Sequence, residues 1–244
     1  MMAVEGHCEP GFDGVRTALA TVLGELGDTG AACCVYRHGR AVVDLWGGVA
    51  DVATERPWAH DTIQVVFSAT KGITGACVHQ LAERGQLDLE TPVARWWPEF
   101  GAAGKAEIPI AWVLAHRAGL PAVEAPLTLA QVVAWEPVVA AIAAQAPSWP
   151  PGTAHGYHVR TFGWILGEVV RRVSGRPIGR YVADEIAAPF GLDFRIGLSP
   201  GDAGRVATII PPDDGGRSLE RLLGTDSLTA RAMTGPSGDR KSVV

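Results

Sequence analysis

Residues 66–85 read VFSATKGITGACVHQLAERG. Ile73, Cys77 and Leu81 fall on one stripe at helical spacing and Gly85 stands at the C-terminal stop, so the stretch predicts a helix from Ser68 to about Arg84. Its start carries the chemistry. Residues three apart on a helix share a face, which puts the Lys71 ammonium within reach of the Ser68 hydroxyl. A serine becomes a useful nucleophile once a neighbouring group takes its proton, and backbone N–H groups left open at a helix start can hold a developing oxyanion. The competing reading makes Ser68 an ordinary N-cap and Lys71 a solvated surface residue. Lysine is scarce: with eight serines and only Lys71, Lys105 and Lys241, random placement yields an S-x-x-K about 0.1 times in a chain of 244 residues.

Upstream, GFDGVRTALATVLGEL (11–26) places Val15, Leu19, Val22, Leu23 and Leu26 at helical spacing. AACCVYR (31–37) and AVVDLWGGVAD (41–51) read as the strands of a hairpin turning at His38, Gly39 and Arg40. Downstream, QLDLETPVARWWPEF (86–100) predicts a turn and a short helix ending before Pro98. Further helices are expected at 109–117, 128–144, 160–174 and 177–188, the first and third stopped at Gly119 and Gly175. Between the second and third lies APSWPPGTAHGY (146–157), too rich in Pro and Gly to be regular, and such loops often present reactive groups. DFRIGL (193–198) predicts a short strand and 211–217 a loop. Strands first and helices through the middle give an α+β class, with 1–244 one domain and about 86–190 a helical subdomain within it.

Composition narrows the function classes. Apolar residues make up 47% of the chain and charged residues 19%, which suits a globular core. The net charge is −5 and the basic residues are scattered, so a nucleic-acid role has no electrostatic footprint. No run of eighteen apolar residues predicts a membrane span, and MMAVEGHCEPGFDG lacks the basic start and apolar run of a secretory leader. A cytoplasmic protein acting on a small molecule is the expectation.

Tyr157, in the Gly/Pro loop just before a helix, is a second candidate, because a tyrosinate beside a cation acts as a general base; its alternative is a packing residue with a bonded hydroxyl. Gly197-Leu198-Ser199-Pro200-Gly201 matches G-x-S-x-G after the expected strand, yet Pro200 lacks the N–H that this motif gives to the oxyanion. His155 and His158 have no third partner at metal-ligand spacing, so they are expected to support the loop, and no metal is expected. Cys8, Cys33, Cys34 and Cys77 show no C-x-x-C pattern and are expected to be reduced and mostly buried. Gly163 and Gly167, as G-x-x-x-G, predict close helix packing.

VFSATKGITGACVHQLAERGQLDLETPVARWWPEF, WVLAHRAGLPA and PPGTAHGYHVRTFGWILGEVVRRVSGRPI, in that order, resemble the serine β-lactamase-related hydrolases. Within these they most resemble carboxylesterases similar to class C β-lactamases and DD-peptidases, over about Gly11 to Gly238. The resemblance implies an antiparallel sheet flanked by helices plus a mostly helical subdomain. It also implies Ser68 as the acylated nucleophile, Lys71 as its proton-transfer partner, Tyr157 as base in the first position of a Y-x-N motif, and no cofactor. Val159 replaces the Asn of that motif, which points to small carboxylic esters over β-lactam or DD-peptidase substrates. The third family motif, K-T-G, H-x-G or W-G-G on a late strand, has no counterpart near the end: the sole W-G-G is Trp46 to Gly48 in the early hairpin, and the chain closes on GPSGDRKSVV. Late sheet strands are therefore expected to be missing, and the alternative is a truncated, catalytically silent fragment or an acyl-binding module.

Overall fold

The computed structural model describes residues 3–210, 224 and 227–236. They form two compact units, residues 3–66 with 198–210, and residues 67–197 with 224 and 227–236. The expected loop at 211–217 and the closing DRKSVV lie outside the described residues.

In the first unit, β1 (Val4–Cys8), β2 (Gly30–Arg37), β3 (Arg40–Asp51) and β4 (Arg56–Pro57) form an antiparallel sheet with β3 between β1 and β2 and pairing β4 near its end. The expected hairpin forms, but on a turn of two residues and not three: Arg37 pairs with Arg40, which belongs to β3, and His38 and Gly39 have φ of 51° and 76°, the twist that flanking strands require. β1 was not legible as a strand, since VEGHC is polar and kinked at Gly6, where φ is 96° and a Cβ would stand 2.1 Å from Asp44 O. It is held from the side by α1 (Asp13–Glu25), whose Arg16 donates to Val4 O and Gly6 O at 2.7 and 2.9 Å. Leu19 and Leu23 of α1 pack with Val42, Val43 and Leu45 of β3, each fully buried aliphatic contributing about 1.5–3 kcal/mol. Leu26 leaves the expected stripe, caps the helix and is exposed.

The segment 193–198 is not a strand. It is irregular through Gly197, whose φ of 87° suits no pleat, and the extended pairing nearby is a single parallel bridge between Ile63 and Val206.

The second unit holds the larger core. α2 (Thr70–Glu83), α3 (Ile110–Leu114), α5 (Glu136–Ala144) and α6 (Thr161–Ser174) bury Cys77, Leu81, Val113, Ile142, Ile165 and Leu166 completely. Gly85 follows α2 at φ 67° and Gly175 ends α6 at φ 74°, as their positions predicted. The expected helix at 128–144 is instead two, α4 (Leu129–Val133) and α5. Pro137 offers no N–H and its ring would strike the Val133 carbonyl, so the chain breaks at Trp135, with φ 66° and ψ −62°. Residues 86–101 likewise replace the short helix with two 3₁₀ turns, Val93–Arg95 and Pro98–Gly101, the second started by the proline expected to end the first. The helix expected at 177–188 runs as α7 (Ile178–Val182), a π turn at Ala183–Ala187 and α8 (Ala188–Phe190), stopped by Gly191. A last helix, α9 (Leu228–Thr234), is capped by Ser227.

Two polar devices tie these helices together. Lys105 is completely buried, and its ammonium donates to Ala102 O at 2.8 Å, to Ala143 O at 3.0 Å and to Gln145 O, serving the carbonyl end of α5. Glu168, also completely buried, accepts from Trp135 Nε1 at 2.9 Å, from Arg171 at 2.7 and 2.8 Å and from Arg172 at 2.7 Å. Gly167 admits this Trp135, since a Cβ there would stand 2.8 Å from the indole; Gly163 has open space and needs no such explanation. Of the cysteines only Cys77 is buried, which pushes its thiol up to about 11; Cys34 is exposed on β2, contrary to the expectation of mostly buried thiols, and all four are free. Among the described residues no helix is long and apolar enough to cross a membrane.

Candidate active site

Ser68 does not cap α2. It lies in a 3₁₀ turn, Phe67–Ala69, that runs into the helix, and Ala69 occupies the N-cap with no side-chain hydrogen bond. The turn begins at Phe67 with φ 43°, a left-handed conformation that costs a non-glycine residue energy and turns the exposed Ser68 hydroxyl onto the helix entrance. From one turn further on, Lys71 Nζ donates to Ser68 Oγ at 3.1 Å and to Val159 O at 2.6 Å. The same ammonium stands 4.9 Å from the centre of the Tyr157 ring and 5.8 Å from that of Phe162. The helix that decided the fold and the Gly/Pro loop 89 residues downstream thus converge on one cation.

Tyr157 is half exposed, and hydrogen bonding to Ser68 draws its phenol below the ordinary tyrosine range. Burial opposes this, while the hydrogen bond and charge of Lys71 add to it. Relative to a free tyrosine, these contacts make the phenol easier to deprotonate.

The loop is anchored to the turn after α3. His116, at φ 58°, accepts the Gly156 N–H on its backbone oxygen and the His158 N–H on Nδ1, both at 3.1 Å. His158 is completely buried; its Nε2 accepts from Leu120 N at 3.0 Å, which assigns the proton to Nδ1, donating to Gly156 O at 2.6 Å. Thr161 Oγ1 closes the ladder onto Leu120 O at 2.5 Å. Both glycines of the loop allow aromatic rings to close over the backbone, Trp112 at Gly152 and Trp149 at Gly156. At the start of α6, Arg160 donates to Met233 O at 2.9 Å and Gly235 O at 2.8 Å, holding the segment after α9 there.

Sequence reasoning placed Ser68, Lys71 and Tyr157, and these three the structure brings together. It missed His116, present in the quoted WVLAHRAGLPA without a role, and it missed the Val159 carbonyl, which no side-chain pattern can signal. His158 supports the loop through both ring nitrogens, whereas His155 only meets the His116 ring edge-on, centroids 5.9 Å apart; among the described residues no group of three His, Cys, Asp or Glu is placed to hold a metal ion. Ser199 sits in the other unit, donating to Asp202 Oδ2 at 2.8 Å ahead of Pro200.

Burial pushes His158 down to about 4, and burial with the charges of Lys71 and His155 lowers His116 as well. Both folded values lie below the unfolded value of about 6.5, so the stability these neutral rings contribute is complete above about pH 6.5 and is lost as pH falls toward about 4. Calorimetry from pH 7 to 4 is expected to show melting temperature falling across that window, and to show a shallower fall in His158→Asn.

An S-x-x-K pair at a helix entrance thus faces a loop tyrosine. The family model described as Beta-lactamase matches residues 16–239, and the chain belongs to that family. It is 40% identical over 219 residues to the esterase/β-lactamase LipL of Mycobacterium tuberculosis, covering 86% of this chain and 49% of that protein. Among solved structures it resembles a family VIII carboxylesterase (TM-score 0.81, 40% identity, 86% of this chain and 58% of that one) and EstA from Arthrobacter nitroguajacolicus Rue61a (TM-score 0.84, 34% identity, 98% and 61%). The antiparallel sheet with flanking helices is their fold. The chain spans about half the length of the curated relatives it matches.

Proposed function

We propose that this protein is a serine hydrolase of small carboxylic esters, and the observation that carries the reading is the hydrogen bond from Lys71 Nζ to Ser68 Oγ beside a phenol that hydrogen bonding to Ser68 and Lys71 draws below the ordinary tyrosine range. Ser68 Oγ attacks the ester carbonyl carbon while its proton passes through Lys71 to the ionised Tyr157 oxygen, the ammonium giving one proton to Tyr157 as it takes the one from Ser68. The backbone N–H of Ser68, at the positive end of α2, receives the oxyanion. Collapse breaks the bond to the alkoxy oxygen, which leaves as the alcohol with the Tyr157 proton, and an acyl ester remains on Ser68. Water then attacks this ester and gives its proton to Tyr157; as the acid leaves, the proton returns to Ser68. No metal or cofactor enters these steps, and the site acts within a cytoplasmic chain.

Relatives named as esterases and a carboxylesterase support this substrate class. Val159 supports esters over β-lactams, because an aliphatic residue stands at the position the Y-x-N motif gives to an amide, and its carbonyl is spent on Lys71. The chain is expected to hydrolyse a short-chain nitrophenyl ester, with Ser68→Ala inactive, and to turn over a chromogenic cephalosporin far more slowly. Equal ester hydrolysis by Ser68→Ala would remove the reading, and faster cephalosporin turnover would move the substrate to β-lactams.

A further inference from the structure

We infer that His116 is a positioning residue for Tyr157: its Nδ1, accepting the His158 N–H, fixes the backbone one residue beyond the phenol and so sets the distance from the phenolic oxygen to Ser68. This rests on the reading that Tyr157 moves the Ser68 proton. Apart from the His158 ring, which accepts from Leu120 N, the backbone between Gly156 and Val159 is fastened at three points. Gly156 N donates to His116 O, His158 N donates to His116 Nδ1, and Val159 O receives Lys71. Two of the three come from one residue. Its ring also lies against the phenol, with centroids 4.8 Å apart and planes tilted by 55°.

The geometry of His116 explains why an imidazole stands where glycine would be easiest. At φ 58° the residue is in the left-handed region, where a β-carbon is strained, and that strain is retained in exchange for a side-chain acceptor aimed at residue 158. Asparagine tolerates this conformation and places Oδ1 about where Nδ1 stands, whereas glycine relieves the strain and offers no acceptor. The two substitutions therefore separate positioning from folding.

Fluorophosphonate labelling of Ser68 supplies the first readout, with affinity and maximal rate determined separately. His116→Gly is expected to remain folded at the assay temperature yet label roughly 10- to 100-fold more slowly at saturation, with the concentration for half-maximal rate little changed. His116→Asn is expected to label close to the wild-type rate. Wild-type labelling by His116→Gly, or equal loss in both variants, overturns the inference. The second readout needs no activity: in the unaltered chain the His158 amide is expected to exchange its hydrogen slowly, and in His116→Gly faster, while amides of α6 keep their protection. An unprotected His158 amide in the wild type, or one unaffected by His116→Gly, also overturns it. Absence of labelling in the wild type would instead sink the nucleophile reading, and hydrogen exchange would still decide the role of His116.

Discussion

Replacing Lys71 by alanine is expected to lower ester turnover by about 10²–10⁴, the range that a positioned proton-transfer group contributes. Its ammonium donates to Ser68 Oγ and Val159 O and stands over the Tyr157 ring, so its loss removes a partner of the nucleophile and the cation that favours the phenolate. Lys71→Arg discriminates between these roles. A guanidinium keeps the charge but gives up no proton, and its planar fork does not fit an ammonium contact reaching two oxygens in different directions. If proton transfer is the principal role, Lys71→Arg falls nearly as far as Lys71→Ala; if charge alone matters, it recovers most of the rate. The first outcome is expected, read as kcat/KM with a nitrophenyl ester, and the melting temperatures of both variants should stay near the wild-type value.

Glu168→Ala is expected to have the largest effect on stability, about 2–4 kcal/mol, because it strands a tryptophan N–H and two guanidinium groups around a buried site. Burial alone would push the Glu168 carboxyl up, but hydrogen bonds from Arg171, Arg172 and Trp135 outweigh it and hold the group below the ordinary carboxylate range. Its contribution is therefore complete above an unfolded value of about 4.3 and lost as pH falls through the lower folded value. Arg171 and Arg172 keep partial contact with water, which limits the loss on truncation. Thermal unfolding at pH 7 is expected to fall by about 6–12 °C, and the gap between Glu168→Ala and wild type should narrow at low pH. A gap that widens on acidification would contradict the carboxylate as the stabilising form.

The reach of the sequence follows from which forces are local. Helices α1, α2 and α6 repeat apolar residues at fixed spacing and stop at Leu26, Gly85 and Gly175, so their boundaries were legible to within a residue or two. The β2–β3 hairpin was legible because His38 and Gly39 suit only a tight turn. By contrast β1 pairs through backbone groups on a polar segment, and its membership in the sheet is decided by β3 and Arg16, far along the chain. DFRIGL has strand composition but no partner strand, and composition alone does not make a ladder. The helix expected at 128–144 crosses Pro137, whose ring and missing N–H break the turn before it, so two helices stand there instead of one. That Ser68, Lys71 and Tyr157 lie together was legible because their spacing and order are written in the chain. His116 was not, because its role depends on a contact across 42 residues made by one ring nitrogen.

The most direct measurement is peptide mass spectrometry of the whole chain after fluorophosphonate treatment, run beside Ser68→Ala. A covalent adduct confined to the peptide carrying Ser68, and absent from Ser68→Ala, is the predicted result. An adduct of equal extent in Ser68→Ala, or one carried by Ser199 instead, would contradict the assignment of Ser68 as the nucleophile.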